Sequence, residues 1–345
     1  MSISVSTTDR HQWTVSWPAV RMIAVVAVVV AAVWQHKALL SGVARVGTVS
    51  PSFVVAALVA ELVASVALAE VQRRLLEAGG AHVGRPSLVA IDLAGGAIGA
   101  TLPVGFAFSS VFIYRQFTRR GARPAVAVWV LAVSGALCVA ALAVIGAVGA
   151  QVGGLGILSS PLGALVGGSF AVVAVAILAG LIWVSASTRR LDGAARMVGR
   201  VQATVWRALR RQPPEDAGLF GLDRPDGISL SLRGWSGLFV LAEVNWLADI
   251  AALALAFAAV GAGVPWSGLI LAYALSQAAS SLPLLPGSIG VAEGSLALAL
   301  VGAGVRPADA IAAVLTYRLI TFWVLLPVGW ALWAWLRRAP VVAPA

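Results

Sequence analysis

The sequence predicts an all-α polytopic membrane protein with about six full spans plus two broken, re-entrant helical hairpins whose order suggests an inverted repeat. Three observations carry this. Of 345 residues, 60% are hydrophobic and 11% charged, with a mean hydropathy of +0.94. A soluble domain carries about 25% charged residues, so this chain lacks the means to cover itself with a solvated surface. Apolar stretches of spanning length recur throughout, and arginines gather in patches between them.

A bilayer core of roughly 30 Å takes about 20 mostly apolar residues per helix. The first run, Met22–Trp34, is extended by Pro18–Val20 and interrupted by Arg21. It reads as a retained span rather than a cleaved leader, because Trp34-Gln35-His36-Lys37 follows in place of a small-x-small site. The further runs are Phe53–Val71, Ala125–Ala150, Leu162–Ser185, Gly237–Val264 and Ala308–Leu336.

A net charge of +10 raises nucleic acid as a partner, but its placement points to a membrane. Five patches hold 20 of the 24 basic residues. They are Arg10 and Arg21; Arg73, Arg74 and Arg85; Arg115, Arg119, Arg120 and Arg123; nine arginines from Arg189 to Arg233; and Arg337 and Arg338. Cytoplasmic loops are the basic ones, so these patches and both termini are expected inside. Segments 35–51, 150–161, 262–266 and 304–307, with only Lys37, Arg45 and Arg306, are expected outside.

That alternation forces segments 88–113 and 267–303 each to leave on the face where they entered. Both carry helix breakers midway: Gly95, Gly96, Gly99 and Thr101 to Gly105 in one, Ser280 to Gly290 with Pro283 and Pro286 in the other. Broken backbone at membrane depth survives where protein or a wet cavity covers it. Paired broken segments opening to opposite faces mark inverted-repeat transporters, with the site between them. The alternatives are a single tilted span for the first and two complete helices for the second.

One integral membrane domain, 1–345, is expected, with 187–234 as a basic amphipathic cytoplasmic loop. Arg189, Arg196, Arg200, Arg207 and Arg211 fall on one helical stripe, and Leu191, Val198, Val201, Val205 and Leu209 oppose it. That pattern fits a helix lying on anionic lipid.

The single cysteine, Cys138, excludes a disulfide framework, and His11, His36 and His82 have no metal-ligand spacing. Ionisable groups at depth cost roughly 2.5–3.5 kcal/mol each on insertion scales, so each needs a partner, water or a function. They are Glu61, Glu70, Asp92, Glu243, Asp249, Glu293 and Arg318, with Asn245 and Gln277 adding amides. A Glu293–Arg318 ion pair is one expectation. The functional expectation is that the Arg318 fork meets a phosphate head group. Glu61 and Glu70, nine residues apart, lie about 180° apart on a helix and cannot share a cavity. Glu70 belongs with Arg73 and Arg74. Gly287-Ser288-Ile289-Gly290 lacks the Lys-Ser/Thr and the preceding strand of a phosphate loop. No catalytic constellation, metal site or cofactor site is visible.

Trp246-Leu247-Ala248-Asp249, Leu282-Pro283, Pro286-Gly287-Ser288-Ile289-Gly290-Val291-Ala292-Glu293 and Tyr317-Arg318 together resemble motifs of a known family. It is the flippase-like transmembrane domain of lysylphosphatidylglycerol synthases (the multiple-peptide-resistance-factor family), in stand-alone form. Ser288 and Ile289 depart from that family's usual Pro-Gly-Gly-Leu-Gly-Val-x-Glu. Leu102-Pro103-Val104-Gly105 is similar to its first broken segment, with Phe106-Ala107-Phe108 where a charged residue often follows.

The resemblance implies translocation of a phospholipid, aminoacyl-phospholipid or lipid-linked sugar between leaflets of the plasma membrane. No aminoacyltransferase domain is expected, since seven residues follow Arg338. The expected transport residues are Arg318, Glu293, Asp249, Tyr317, Gln277, Pro286, Gly287, Gly290, Pro103 and Asp92. Proton coupling through Glu293 or Asp249 and a homo-oligomer stay open. The competing classes are a secondary transporter of a soluble solute and a membrane transferase acting on a lipid phosphate.

Overall fold

The computed structural model describes residues 49–102, 105–152, 161–185, 230–280 and 290–338. The first run at 22–34, the arginine stripe at 189–211 and both termini lie outside the described residues. Every regular element among the described residues is a helix. In order they are α1 (Pro51–Ala78), α2 (Arg85–Thr101), α3 (Gly105–Thr118), α4 (Pro124–Val152), α5 (Pro161–Ser185), α6 (Leu232–Ala259), α7 (Trp266–Ser280), α8 (Val291–Gly302), α9 (Pro307–Arg318) and α10 (Leu325–Arg338). A π-helical turn, Leu319–Val324, joins α9 to α10. Four of these stretches are long and apolar enough to cross a bilayer: α1, α4, α6 and the continuous 307–338.

The exterior is apolar. Phe53, Val55, Val59, Leu62, Val63 and Val66 form an exposed stripe along α1, and Val172, Val175, Trp323 and Val328 are also exposed. Such a surface is stable only where lipid replaces water. Prolines open α1, α2, α4, α5 and α9, at positions where a missing N–H costs nothing.

Both broken segments fold back. Gly99 of α2 lies against Gly105, and Gly95 faces Ser109 and Ile113 of α3, so the two legs run side by side from the break at 102–104. In the second segment Ser276 Oγ of α7 donates to the Ala292 carbonyl of α8 at 3.1 Å. The Ser295 and Ser276 hydroxyls meet at 3.3 Å. With 17, 14, 15 and 12 residues, the legs are about 18–26 Å long at 1.5 Å per residue. That is short of the ~30 Å core. Full spans would need longer legs, and the glycines and prolines at the breaks explain why none formed.

The element order repeats as a long helix, a hairpin and a long helix: α1, α2–α3, α4, then α6, α7–α8, α9–α10. Packing repeats too. Helices α1 and α6 lie together, α2 packs on α10, and α7 packs on α4, so each hairpin leans on the last helix of the other half. Glycines at the two crossings permit it. A Cβ on Gly329 would strike the Leu93 carbonyl, and one on Gly149 would sit 2.9 Å from Leu271 N. The halves therefore interlock through equivalent close approaches.

Two apolar clusters divide the interior. One gathers the helix ends beside the arginine patches, including Leu76, Phe117, Val126, Leu238 and Leu336. The other gathers the opposite ends, including Ala57, Phe257, Leu269, Leu300 and Val314. Trp246 packs against both.

The hairpin geometry predicts a labelling pattern in a Cys138→Ser background. His82→Cys and Arg119→Cys, which flank the first hairpin, should react from one side of the membrane. Gly263→Cys and Gly302→Cys, which flank the second, should react from the other. Labelling of His82→Cys and Arg119→Cys from opposite sides would replace the first hairpin by a crossing. A separate expectation concerns the tightest turn. Gly105→Ala places a methyl group into the Gly99 carbonyl, an overpacking worth about 1–3 kcal/mol, readable as a lowered thermal midpoint in detergent.

Candidate functional site

Helices α1 and α6 run antiparallel, their ends joined where Ser50 N donates to the Ala259 carbonyl at 3.1 Å. Glu61 is eleven residues from Ser50 and Asp249 is ten from Ala259. At 1.5 Å per residue both acids lie about 15 Å in, half the depth of the bilayer core. The two acids therefore sit at one level of two packed helices, and Glu61 Oε2 is buried with no hydrogen-bond partner among the described residues.

Asp249 is the hub. It accepts from the Tyr317 hydroxyl of α9 at 2.7 Å and from the Tyr273 hydroxyl of α7. Gln277, one turn along α7, donates Nε2 to the Tyr273 hydroxyl at 3.2 Å. Both tyrosines are buried, so each hydroxyl requires such a partner. Trp246, one turn before Asp249, packs edge-on to Tyr273 at 6.1 Å and donates Nε1 to the Cys138 carbonyl at 2.8 Å. It thereby holds α6, α7 and α4 in register at this level.

Next along α9 comes Arg318, whose Nε lies 3.1 Å from Glu293 Oε1. Glu293 also caps α8, its Oε2 accepting from Gly290 N at 2.6 Å. Gly290 has φ of +83°, a left-handed conformation that favours glycine at this cap. One carboxylate thus orders the second hairpin and anchors the sole ionised base at this depth among the described residues.

The π turn follows Arg318 immediately. Pro327 has no N–H for the Trp323 carbonyl and crowds it, and the wide turn upstream accommodates the mismatch. Thr321 and Phe322 of the turn, with Leu325 and Leu326 at the start of α10, line a cavity of about 310 Å³. Across it stand Glu61 and Ser65 of α1, Asp92 and Gly96 of α2, and Ser109 and Ile113 of α3. The Arg318 guanidinium lies 5.8 Å from the Phe322 ring centre. Phe322 therefore separates the cavity from the Arg318–Glu293 pair.

The structure brings Asp249, Tyr317, Gln277, Arg318, Glu293 and Gly290 into one connected group, with Asp92 across the adjoining cavity. Pro103, Pro286 and Gly287 lie outside the described residues. Glu61, named from sequence as a charge at depth but not as a transport residue, and Tyr273, not named at all, complete the group. The depth match of Glu61 to Asp249 was the available signal, once the two runs are aligned antiparallel. Glu243 stands apart on α6, its Oε1 buried without a hydrogen-bond partner.

Glu70 serves elsewhere, as its spacing from Glu61 required. It accepts from Arg73 at 2.7 Å, Arg74 at 2.9 Å and Arg85 at 2.8 Å, tying the end of α1 to the start of α2. Arg85 and Arg74 are 65% and 45% exposed, so the network is screened by salt. Glu70→Gln should lower the thermal midpoint at low ionic strength, and the loss should shrink as salt is added. A loss independent of salt would point to packing instead.

Comparison with individually curated proteins returns no match. The family model described as "Lysylphosphatidylglycerol synthase TM region" matches residues 21–329. That range takes in both hairpins, the whole buried polar group and all of the repeat except the end of α10. The chain belongs to the lysylphosphatidylglycerol synthase transmembrane-region family.

Proposed function

We propose that the protein is a lipid translocase, which moves a phospholipid, an aminoacyl-phospholipid or a lipid-linked sugar between leaflets without altering its covalent structure. The observation that carries this reading is the buried polar group at half depth, where elements of both halves converge beside a cavity. At about 30 Å³ per water, 310 Å³ is the room of roughly ten waters, comparable to a polar head group. Apolar helix faces around it offer the lipid tails a continuous path in the bilayer. Arg318 suits a phosphate because its planar fork donates parallel hydrogen bonds. Glu293 holds that fork until the head group arrives, and Phe322 stands between fork and cavity.

In this reading the chain sits in the plasma membrane with both termini cytoplasmic, and the 189–211 stripe rests on anionic lipid. It acts as a transporter and not as an enzyme. The test uses purified protein in liposomes with a fluorescent phospholipid in one leaflet and glycerol phosphate outside. The expected result is transfer of the lipid with its mass unchanged and exclusion of glycerol phosphate. Uptake of glycerol phosphate alone would favour a solute transporter. A changed lipid mass would favour a transferase.

A further inference from the structure

Resting on the translocase reading, we propose that Glu61 and Asp249 share one exchangeable proton. That proton enters through the Asp92 cavity and couples lipid movement to the proton gradient. Glu61 and Asp249 lie level on adjacent helices with no basic side chain bonded to either among the described residues. Two ionised carboxylates there stand uncompensated, and a proton on one of them relieves the charge. A second observation points to exchange with the outside of the cluster. Asp92 is half-buried and lines the cavity that Glu61 also lines. No hydrogen bond or ion pair of Asp92 occurs among the described residues. Glu61 Oε2 is likewise buried without a donor.

The charges facing this pair come from every element around it. Asp92 of α2 lines the same cavity as Glu61, Tyr273 of α7 and Tyr317 of α9 donate to Asp249, and Arg318 follows Tyr317 on α9. Arg318 is already matched by Glu293. Among the described residues Glu61, Asp92 and Asp249 are then left without a basic partner, and uncompensated charge inside the bilayer is costly. Among the described residues no group of three or more acids, histidines or cysteines is close enough to hold a metal ion. The geometry favours protons as the neutralising ligand.

Coupling follows from connectivity. Asp249 holds the α7 tyrosine and the α9 tyrosine together, and Tyr317 is the neighbour of Arg318. Loss of the shared proton leaves two negative carboxylates at one level of packed helices, and their repulsion separates α1 from α6 there. The proton moves from Glu61 to Asp92 and to water in the cavity, and returns by the same route. No bond other than O–H is made or broken.

The test places the protein in liposomes with the potential clamped by potassium and valinomycin. The steady-state leaflet ratio of the fluorescent phospholipid is read with and without a one-unit pH gradient. One proton per lipid shifts that ratio about tenfold, since one pH unit corresponds to a tenfold factor in equilibrium. The direction distinguishes symport from antiport. Glu61→Gln should hold the ratio at its gradient-free value, and Asp92→Asn should slow the approach to the shifted value. A separate readout is the protonated-carboxyl band in the infrared spectrum, which Glu61→Gln or Asp249→Asn should diminish. Lipid movement by the wild type that ignores the pH gradient would overturn coupling and leave the translocase reading intact. A response to a sodium gradient alone would overturn the proton in favour of a metal cation. No lipid movement under any gradient would remove the translocase reading and coupling together, while the infrared band would still decide whether the proton is shared.

Discussion

Arg318→Met should destabilise the protein by about 3–5 kcal/mol, the usual cost of leaving one member of a buried pair uncompensated. Its side chain is only 19% exposed, and Glu293 has no other cationic partner among the described residues. Thermal unfolding in detergent reads this directly. Glu293→Gln should cost less, because the amide oxygen still accepts from Gly290 N and preserves the α8 cap. Exchanging the charges, Glu293→Arg with Arg318→Glu, restores the pair and not the cap. The exchanged protein should recover only part of the stability, because the α8 cap stays lost. Full recovery would show that the cap contributes nothing.

Asp249→Ala should cost about 2–6 kcal/mol, because two buried tyrosine hydroxyls lose their acceptor and each orphaned group costs about 1–3 kcal/mol. Asp249→Asn keeps an acceptor and should be much milder in stability. Tyr273→Phe and Tyr317→Phe supply the partition, since each removes a donor together with its demand. The Asp249→Ala, Tyr273→Phe, Tyr317→Phe triple should therefore be more stable than Asp249→Ala alone. If it is not, the hydroxyls are satisfied by other groups and Asp249 is not the hub.

Much of this arrangement is legible in sequence because the bilayer restricts backbone to a few solutions. Arginine placement and the breakers at 95–105 and 280–290 point to two hairpins, with a single tilted span and two complete helices as the alternatives. In the structure the legs of each segment pack on one another. The Glu293–Arg318 pair follows from their isolation as opposite charges at depth. The π turn at Leu319–Val324 was not anticipated, since its cause, Pro327, lies within an otherwise unbroken apolar run. Glu61 was set aside for a related reason. Its nine-residue spacing from Glu70 shows that the two diverge, but which of them faces the interior depends on α6, and the Ser50–Ala259 contact supplies that alignment. Tyr273 was missed because a tyrosine in an apolar helix reads as packing until its hydroxyl partner is known. The glycines at Gly149 and Gly329 carry no periodic signal of their own, and only the crossings of α7 and α10 explain them.

The central claim is that lipid head groups cross between leaflets at the Arg318 level, between the two hairpins. The most direct measurement is the flipping rate of a fluorescent phospholipid in liposomes carrying wild-type protein or Arg318→Lys, compared at equal folded fraction. Lysine keeps the charge for Glu293 and loses the planar fork. The account predicts a stable variant whose flipping falls by at least about tenfold, corresponding to loss of a charged hydrogen bond of about 1.5–3 kcal/mol. A folded Arg318→Lys protein that flips lipid at the wild-type rate would contradict it.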